Sequence, residues 1–220
     1  MTDIEPQADK TLLDEETRAT VRISAAIAGG SEADVRRELE AGVRVASAAV
    51  IDEVILQSYL FAGFPRALNA ARAWRAVGPK APARVTEPAA GDGVERWRAR
   101  GEETCRIVYG DSYENLRGNI RALHPDLDEW MIVDGYGKVL GRAGLDLKRR
   151  ELAVVAACAA TGQQRQLHSH LHGALNAGAS EPEISATLDA ISDLVPPGDA
   201  AGYRQLLEKI HAKRVRLAGN

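Results

Sequence analysis

The sequence predicts an all-α protein, a bundle of roughly ten helices. Three observations predict this class. Apolar residues recur with helical spacing through most of the chain, and helix-capping sequences recur with them. Strand signals are nearly absent, since aromatic residues make up only 5% of the sequence and no sustained alternation occurs. With 220 residues, 45% of them hydrophobic, the chain can bury a sizeable core.

Four helices are predicted in the first third of the chain from the residues that start and stop them. Ser31 and Asp34 form a capping pair that opens the second helix, and Gly42 ends it. The turn Gly63-Phe64-Pro65 stops the third helix before the fourth begins. The predicted ranges are 14–28, 31–42, 50–60 and 66–77.

A change of composition follows the fourth helix. Residues 78–93 contain three prolines, three glycines and few large apolar side chains, which is typical of a linker. We therefore expect a first half over residues 1–77 and a second half over residues 94–220.

The second half returns to helical patterns. Asp146 is a candidate N-cap, and Ser180 with Glu183 forms a second capping pair. Gly135 and Gly137 weaken the middle of one predicted helix. The predicted helices are 94–109, 112–123, 126–140, 147–160, the segment between Gly162 and Gly178, 182–194, and a C-terminal helix to about 215.

The two halves share an order of elements: an apolar helix, a glycine turn, a helix ending in a Leu-x-Ala-Gly sequence, and a further helix. This order indicates an internal duplication, in which Asp34 takes the place of His170. Unrelated helical hairpins give the same order, so both interpretations stay open.

The stretch from Glu151 to Ser180 is the most informative part of the chain, because it holds three of the five histidines. At about 100° per residue, His170 lies at the edge of a buried stripe, whereas His168 and His172 point away from it. The stripe is formed by Leu167, Leu171, Ala174 and Gly178.

Composition excludes several classes of protein. The 28 Lys and Arg residues are dispersed among 31 Asp and Glu, with a net charge of −3, which argues against nucleic-acid binding. No apolar run approaches the roughly 20 residues that cross a bilayer, and no signal peptide is evident, so we expect a cytoplasmic protein. Cys105 and Cys158 fit neither a disulfide framework nor a metal site.

The second half resembles the carboxymuconolactone decarboxylase family, which includes alkylhydroperoxidase D-like proteins. The resemblance rests on Arg150-Glu-Leu, an alanine-rich helix, a glycine turn, and Leu167-x-x-His170-Leu-x-x-Ala-Leu-x-Ala-Gly178. The first half is similar to the end of such a domain at 55–69, so two tandem copies would cover half to two-thirds of the chain. The resemblance implies a homo-oligomer, trimeric or hexameric, with its site near a subunit interface.

The peroxidase branch of this family uses a glutamate, a Cys-x-x-Cys pair and a histidine. Carried over residue by residue, the glutamate falls on Glu151, the histidine on His170, and the cysteines on Gln163 and Gln166. An amide cannot act as a thiolate nucleophile, so thiol peroxidase activity is the less favoured prediction.

The decarboxylase branch does not need the cysteines. The resemblance therefore implies a lyase that decarboxylates a small carboxylated lactone or keto acid without cofactor or metal, or performs related proton transfer. His170 would move the proton and Glu151 would orient it. Gln163, Gln166 and Tyr59 are candidate substrate-binding residues.

Other interpretations stand beside this one. His170 alone is typical of a hydrogen-bonded packing residue, and Glu151 alone of an acid near a helix N-terminus. His168 and His172 have the i,i+4 spacing of zinc ligands, but no third ligand is evident. The alternative function is a non-catalytic oligomeric module that binds or assembles.

Overall fold

The computed structural model describes residues 12–81 and 93–218 of the chain, and within them it contains helices and no strand, which confirms the predicted class. The α-helices are α1 (Glu15–Gly29), α2 (Glu32–Gly42), α3 (Ala48–Val77), α4 (Gly93–Tyr109), α5 (Tyr113–Leu123), α6 (Pro125–Trp130), α7 (Leu147–Ala160), α8 (Gln164–Asn176), α9 (Glu181–Ala190) and α10 (Asp199–Ala218). A 3-10 turn, Gly110–Ser112, precedes α5, and a π-helix, Met131–Leu140, follows α6. Within these ranges no helix combines the length and apolar character needed to cross a bilayer.

The predicted caps are confirmed. Asp146 accepts a hydrogen bond from the backbone N–H of Arg149 at 3.0 Å, which fixes the start of α7. Capping boxes open α2 at Ser31 and α9 at Ser180. Helix α9 ends at Ala190, four residues before its predicted end, because the chain turns there.

Helix α3 joins two helices that the sequence separates. The prediction of a stop at Gly63 is half right, since the chain kinks there: Gly63 has a φ of +78°, a conformation that L side chains rarely adopt. The backbone nevertheless resumes its helix at once, with Pro65 in the first turn after the kink.

The predicted helix over 126–140 is wrong in its second part, which is a π-helix. Gly137 lies against the backbone of Trp97 in α4, and Gly101 of α4 lies against the backbone of Ile132. A Cβ atom at either glycine would collide with a carbonyl group of the opposite element. The two glycines therefore let α4 and the π-helix approach to backbone contact.

Helix α7 lies at the centre of the core. Every residue from Arg150 to Ala160 is buried, and α1, α3, α8 and α9 pack around it. Because α1 belongs to the first half, the two halves share one core. Most of the predicted linker, residues 82–92, lies outside the described residues, and the division into two domains stays a prediction.

The duplication also stays a prediction, although the helix order agrees with it. Asp34 is the third residue of α2 and serves in its capping box, whereas His170 is the seventh residue of α8. The two residues therefore occupy different places in their helices.

A buried ion-pair cluster links α3 to α7. The guanidinium of Arg150, which is fully buried, donates to Glu53 at 2.7 Å and to Gln57 at 3.2 Å. Arg142 also donates to Glu53, at 2.8 Å. Gln57 completes the cluster by donating to the carbonyl of Arg150 at 3.0 Å. Burying these charges is tolerated because each has several partners.

Candidate active site

Glu151 and His170 meet in the core. Glu151 is the fifth residue of α7 and is fully buried, and His170 lies on α8 with 6% of its surface exposed. Oε2 of Glu151 is 2.8 Å from Nδ1 of His170, which is a hydrogen bond between a carboxylate and an imidazole. The glycine turn at Gly162 brings α8 back along α7, and this places the two side chains face to face.

The two remaining polar atoms of the pair are differently placed. Oε1 of Glu151 is, among the described residues, the one buried side-chain oxygen or nitrogen without a hydrogen-bond partner. Nε2 of His170 also has no hydrogen-bond partner among the described residues, but unlike Oε1 it is not completely buried. A carboxylate holding Nδ1–H leaves Nε2 as the atom that exchanges protons outside the pair.

Aromatic side chains from three other elements surround the imidazole. Phe61 of α3 contacts His170 edge-on with ring centroids 5.8 Å apart, and Tyr109 of α4 does so at 6.4 Å. Tyr136 of the π-helix in turn contacts Tyr109, with ring centroids 6.2 Å apart. The site is therefore assembled from both halves of the chain.

Burial keeps both phenols protonated. It raises the pKa of Tyr109 to about 12, and the charge of Glu151 adds to this effect. Burial also raises the pKa of Tyr136 well above its ordinary value, with Tyr109 and Glu151 contributing. At neutral pH both side chains are hydrogen-bond donors beside the pair.

The two cysteines are poor nucleophiles. Cys105 on α4 and Cys158 on α7 are buried in the core, and burial raises the pKa of each thiol to about 12. The negative charge of Glu151 raises both further. A thiolate is the reactive species in peroxide reduction, and neither cysteine forms one near neutral pH.

The structure places Gln163 and Gln166 at the N-terminal end of α8. Both are exposed, and neither side chain forms a hydrogen bond with any described residue. Gln166 and His170 are spaced i and i+4 on α8, so they lie on one side of the helix, and Gln163 immediately precedes the helix. The amide of Gln166 therefore lies outside the buried imidazole on its own side of α8.

Tyr59 makes no hydrogen bond or ring contact with Glu151 or His170. Its ring stacks on Phe64 with centroids 4.8 Å apart, next to the kink in α3. Burial raises the pKa of Tyr59, and the charge of Asp134 acts in the same direction. Phe61, two residues further along α3, is the residue that contacts His170.

His168 and His172 lie on the opposite side of α8, as the helical spacing predicts. Their rings are 5.1 Å apart between centroids. Within residues 12–81 and 93–218, no three histidine, cysteine or acidic side chains are grouped closely enough to hold a metal ion.

Sequence reasoning missed Tyr109 and Tyr136. Each is followed by a glycine and lies in or at the end of a predicted helix, and Tyr136 lies between Gly135 and Gly137. A tyrosine flanked by glycines inside an apolar helix was the available signal, since buried phenols need a partner.

Comparison with known proteins identifies one family for part of the chain. No curated protein matches the chain. The sequence model of the carboxymuconolactone decarboxylase family matches residues 125–195, which extend from α6 to the turn after α9. This segment, which holds both Glu151 and His170, is similar to the carboxymuconolactone decarboxylase family.

Proposed function

We propose that the protein is a cofactor-free acid-base enzyme that decarboxylates a small carboxylated lactone or keto acid. The observation that carries the proposal is the 2.8 Å hydrogen bond between Glu151 and His170, buried in the core with Nε2 left open. A buried carboxylate that orients an imidazole is the arrangement general acid-base catalysis uses.

The reaction needs three operations from the protein. As the bond between the substrate and its carboxylate breaks, CO₂ leaves and the electron pair passes into the conjugated carbonyl group, giving an enolate. The phenol of Tyr109 donates a hydrogen bond to the enolate oxygen. The imidazolium of His170 then delivers its Nε2 proton to carbon, while Glu151 balances the positive charge on the ring.

The exposed amides of Gln163 and Gln166 hold the substrate from the outer side of α8 in this proposal. Gln166 lies on the same side of α8 as His170, and an amide donates two hydrogen bonds to a carboxylate. Tyr59 keeps a supporting role at the kink of α3, where it fixes the segment that carries Phe61.

A carboxymuconolactone is the first substrate to test. Release of CO₂ and loss of ultraviolet absorbance are followed with the wild-type protein and with His170→Ala, Glu151→Gln and His168→Ala. We expect His170→Ala to lose about 10²- to 10⁴-fold in rate. Glu151→Gln should fall less, and the exposed His168→Ala should match wild type. The proposal is wrong if the wild-type protein releases no more CO₂ than buffer alone and causes no greater loss of ultraviolet absorbance, with both lactone and keto-acid substrates.

The second candidate is a non-catalytic assembly module. Large apolar side chains remain on the surface of the single chain, with Phe64 64% and Trp130 58% exposed. Such residues favour association between copies of the chain. Light scattering of the purified protein measures the subunit number, and an oligomer that shows no turnover with any carboxylated substrate supports this candidate.

A further inference from the structure

A groove of about 900 Å³ runs along the side of α8 that carries His168 and His172. One wall is the end of α4 with the 3-10 turn, and the other is the last part of α10. The residues that matter for its chemistry are Tyr109, His168, His172, Asn176, Lys213 and Arg214.

The charges that line this groove are mainly positive. Lys213 and Arg214 are cationic at neutral pH, and His168 and His172 stand side by side on the floor. His211 also lines the groove, with its Nδ1 2.7 Å from the carboxylate of Glu181. Asp111 is the one acidic residue among the lining residues.

The walls are fixed to each other by Asn176. Its amide nitrogen donates to the carbonyl of Val108 at 2.9 Å, and its amide oxygen accepts from Arg214 at 2.9 Å. Asn176 thus joins α8 to α4 and to α10 and sets the position of Arg214. A cation held in place loses less conformational entropy when it binds a ligand.

The histidine pair lies in an uncompensated positive field. Burial lowers the pKa of His172, and the nearby His168, Arg214 and Lys213 lower it further. Neither Lys213 nor the histidine pair has an acidic hydrogen-bond or ion-pair partner within residues 12–81 and 93–218. An anion in the groove supplies the missing counter-charge.

We propose that this groove binds a small-molecule anion that carries two or more carboxylate or phosphate groups. Two anionic groups are required because the cations lie on two separate surfaces, with His168 and His172 on α8 and Lys213 and Arg214 on α10. Tyr109 lines the groove and contacts His170, so the bound anion lies next to the acid-base pair without depending on its chemistry.

Binding is coupled to proton uptake. An anion beside His168 and His172 favours their charged forms, so affinity increases as the pH falls through the range in which histidine titrates. The groups that face the pair are Lys213 and Arg214 from α10, His211 further along α10, and Asp111 from the 3-10 turn. Within the pair, His172 carries the pH dependence, because burial and the neighbouring cations lower its pKa and a bound anion offsets that effect.

The experiment is isothermal titration of the full chain with pyrophosphate and, separately, with citrate, at constant ionic strength and at about pH 6 and about pH 8. The two probes distinguish a phosphate ligand from a carboxylate ligand. We expect saturable binding of at least one probe, tighter at the lower pH, and about tenfold weaker in Lys213→Ala and in the double variant His168→Ala, His172→Ala.

Lys209→Ala is the matched control, since Lys209 is an exposed lysine of the same helix outside the groove. Its binding should equal that of wild type. His170→Ala should also bind normally, which separates this proposal from the proposed enzyme activity. Equal losses in Lys213→Ala and Lys209→Ala, or no saturable binding of either probe, overturn the proposal.

Discussion

Gly173 lies against the carboxylate of Glu151, and a Cβ atom at this position would collide with Oε2 and with the side chain of Val108. His170, whose Nδ1 lies 2.8 Å from Oε2 of Glu151, is one turn before Gly173 on the same helix. A residue without a side chain is therefore required for the acid to reach the imidazole.

The first prediction concerns this glycine. Gly173→Ala should lower the free energy of unfolding by about 1–3 kcal/mol, because the methyl group overfills a buried contact. Gly118→Ala on α5 is the control, since a Cβ there meets no neighbour and alanine favours a helix by up to about 1 kcal/mol. Denaturant unfolding measures both, and similar changes in the two variants would contradict the close contact.

The second prediction concerns Tyr109 as a hydrogen-bond donor. Tyr109→Phe keeps the ring but removes the phenol, so kcat of the decarboxylation should fall by about 10²-fold with little change in KM. Tyr203→Phe is the control, because that phenol has a pKa raised by burial to about 12 as well but bonds to Ala159 and Asp199. Equal rates in the two variants would show that the phenol of Tyr109 is not used.

The third prediction concerns pH and the buried ion pairs. Burial alone raises the pKa of Glu53, but hydrogen bonds from Arg142 and Arg150 outweigh it and hold the pKa below 4.5. Because the pKa of Glu53 is lower in the folded than in the unfolded state, its carboxylate stabilises the fold fully at pH values above its pKa in the unfolded state. This stabilisation is lost as the pH falls through the pKa of Glu53 in the folded state.

Glu53→Gln should therefore destabilise the protein by about 3–5 kcal/mol at neutral pH, since it leaves Arg150 buried without its carboxylate. The difference in unfolding free energy between Glu53→Gln and wild type should become smaller as the pH falls below 4.5 and through the lowered pKa of Glu53. Unfolding midpoints across the acid range measure this, with the exposed Glu40→Gln as control. A gap that stays constant with pH would count against the ion pair as its source.

The fourth prediction concerns the thiols. Cys105 and Cys158 are buried with their pKa raised to about 12, so a disulfide reagent should label the native protein slowly and the unfolded protein at once. The double variant Gln163→Cys, Gln166→Cys supplies exposed thiols and should label rapidly. Rapid labelling of the wild-type protein, or peroxide consumption with a dithiol donor, would contradict the buried thiols.

Much of the fold was predictable because its signals are local. Asp146, Ser180 and Gly42 act within one turn of themselves, so the sequence is enough to place helix ends. The π-helix was not predictable, because the contact of Gly137 with Trp97 that accompanies it comes from a distant helix. The same reason explains the kinked but continuous α3.

The candidate site was predictable in part. Helical spacing placed His170 at the edge of a buried face, and the family resemblance paired it with Glu151. Periodicity alone cannot set the rotation of α7 against α8, on which the 2.8 Å contact depends. Tyr109 and Tyr136 were missed because the contact of Tyr109 with His170, and of Tyr136 with Tyr109, depends on how separate helices pack together.

The adjacent charged residues Arg150 and Glu151 of α7 have different hydrogen-bonding environments. Arg150 donates four hydrogen bonds to acceptors on α3 and in the turn before α7, so it links the two halves of the chain. Glu151, the next residue, has one buried carboxylate oxygen without a hydrogen-bond partner among the described residues. Within one turn of α7, one charged side chain therefore links the two halves of the chain, and its neighbour leaves a carboxylate oxygen free to accept a hydrogen bond.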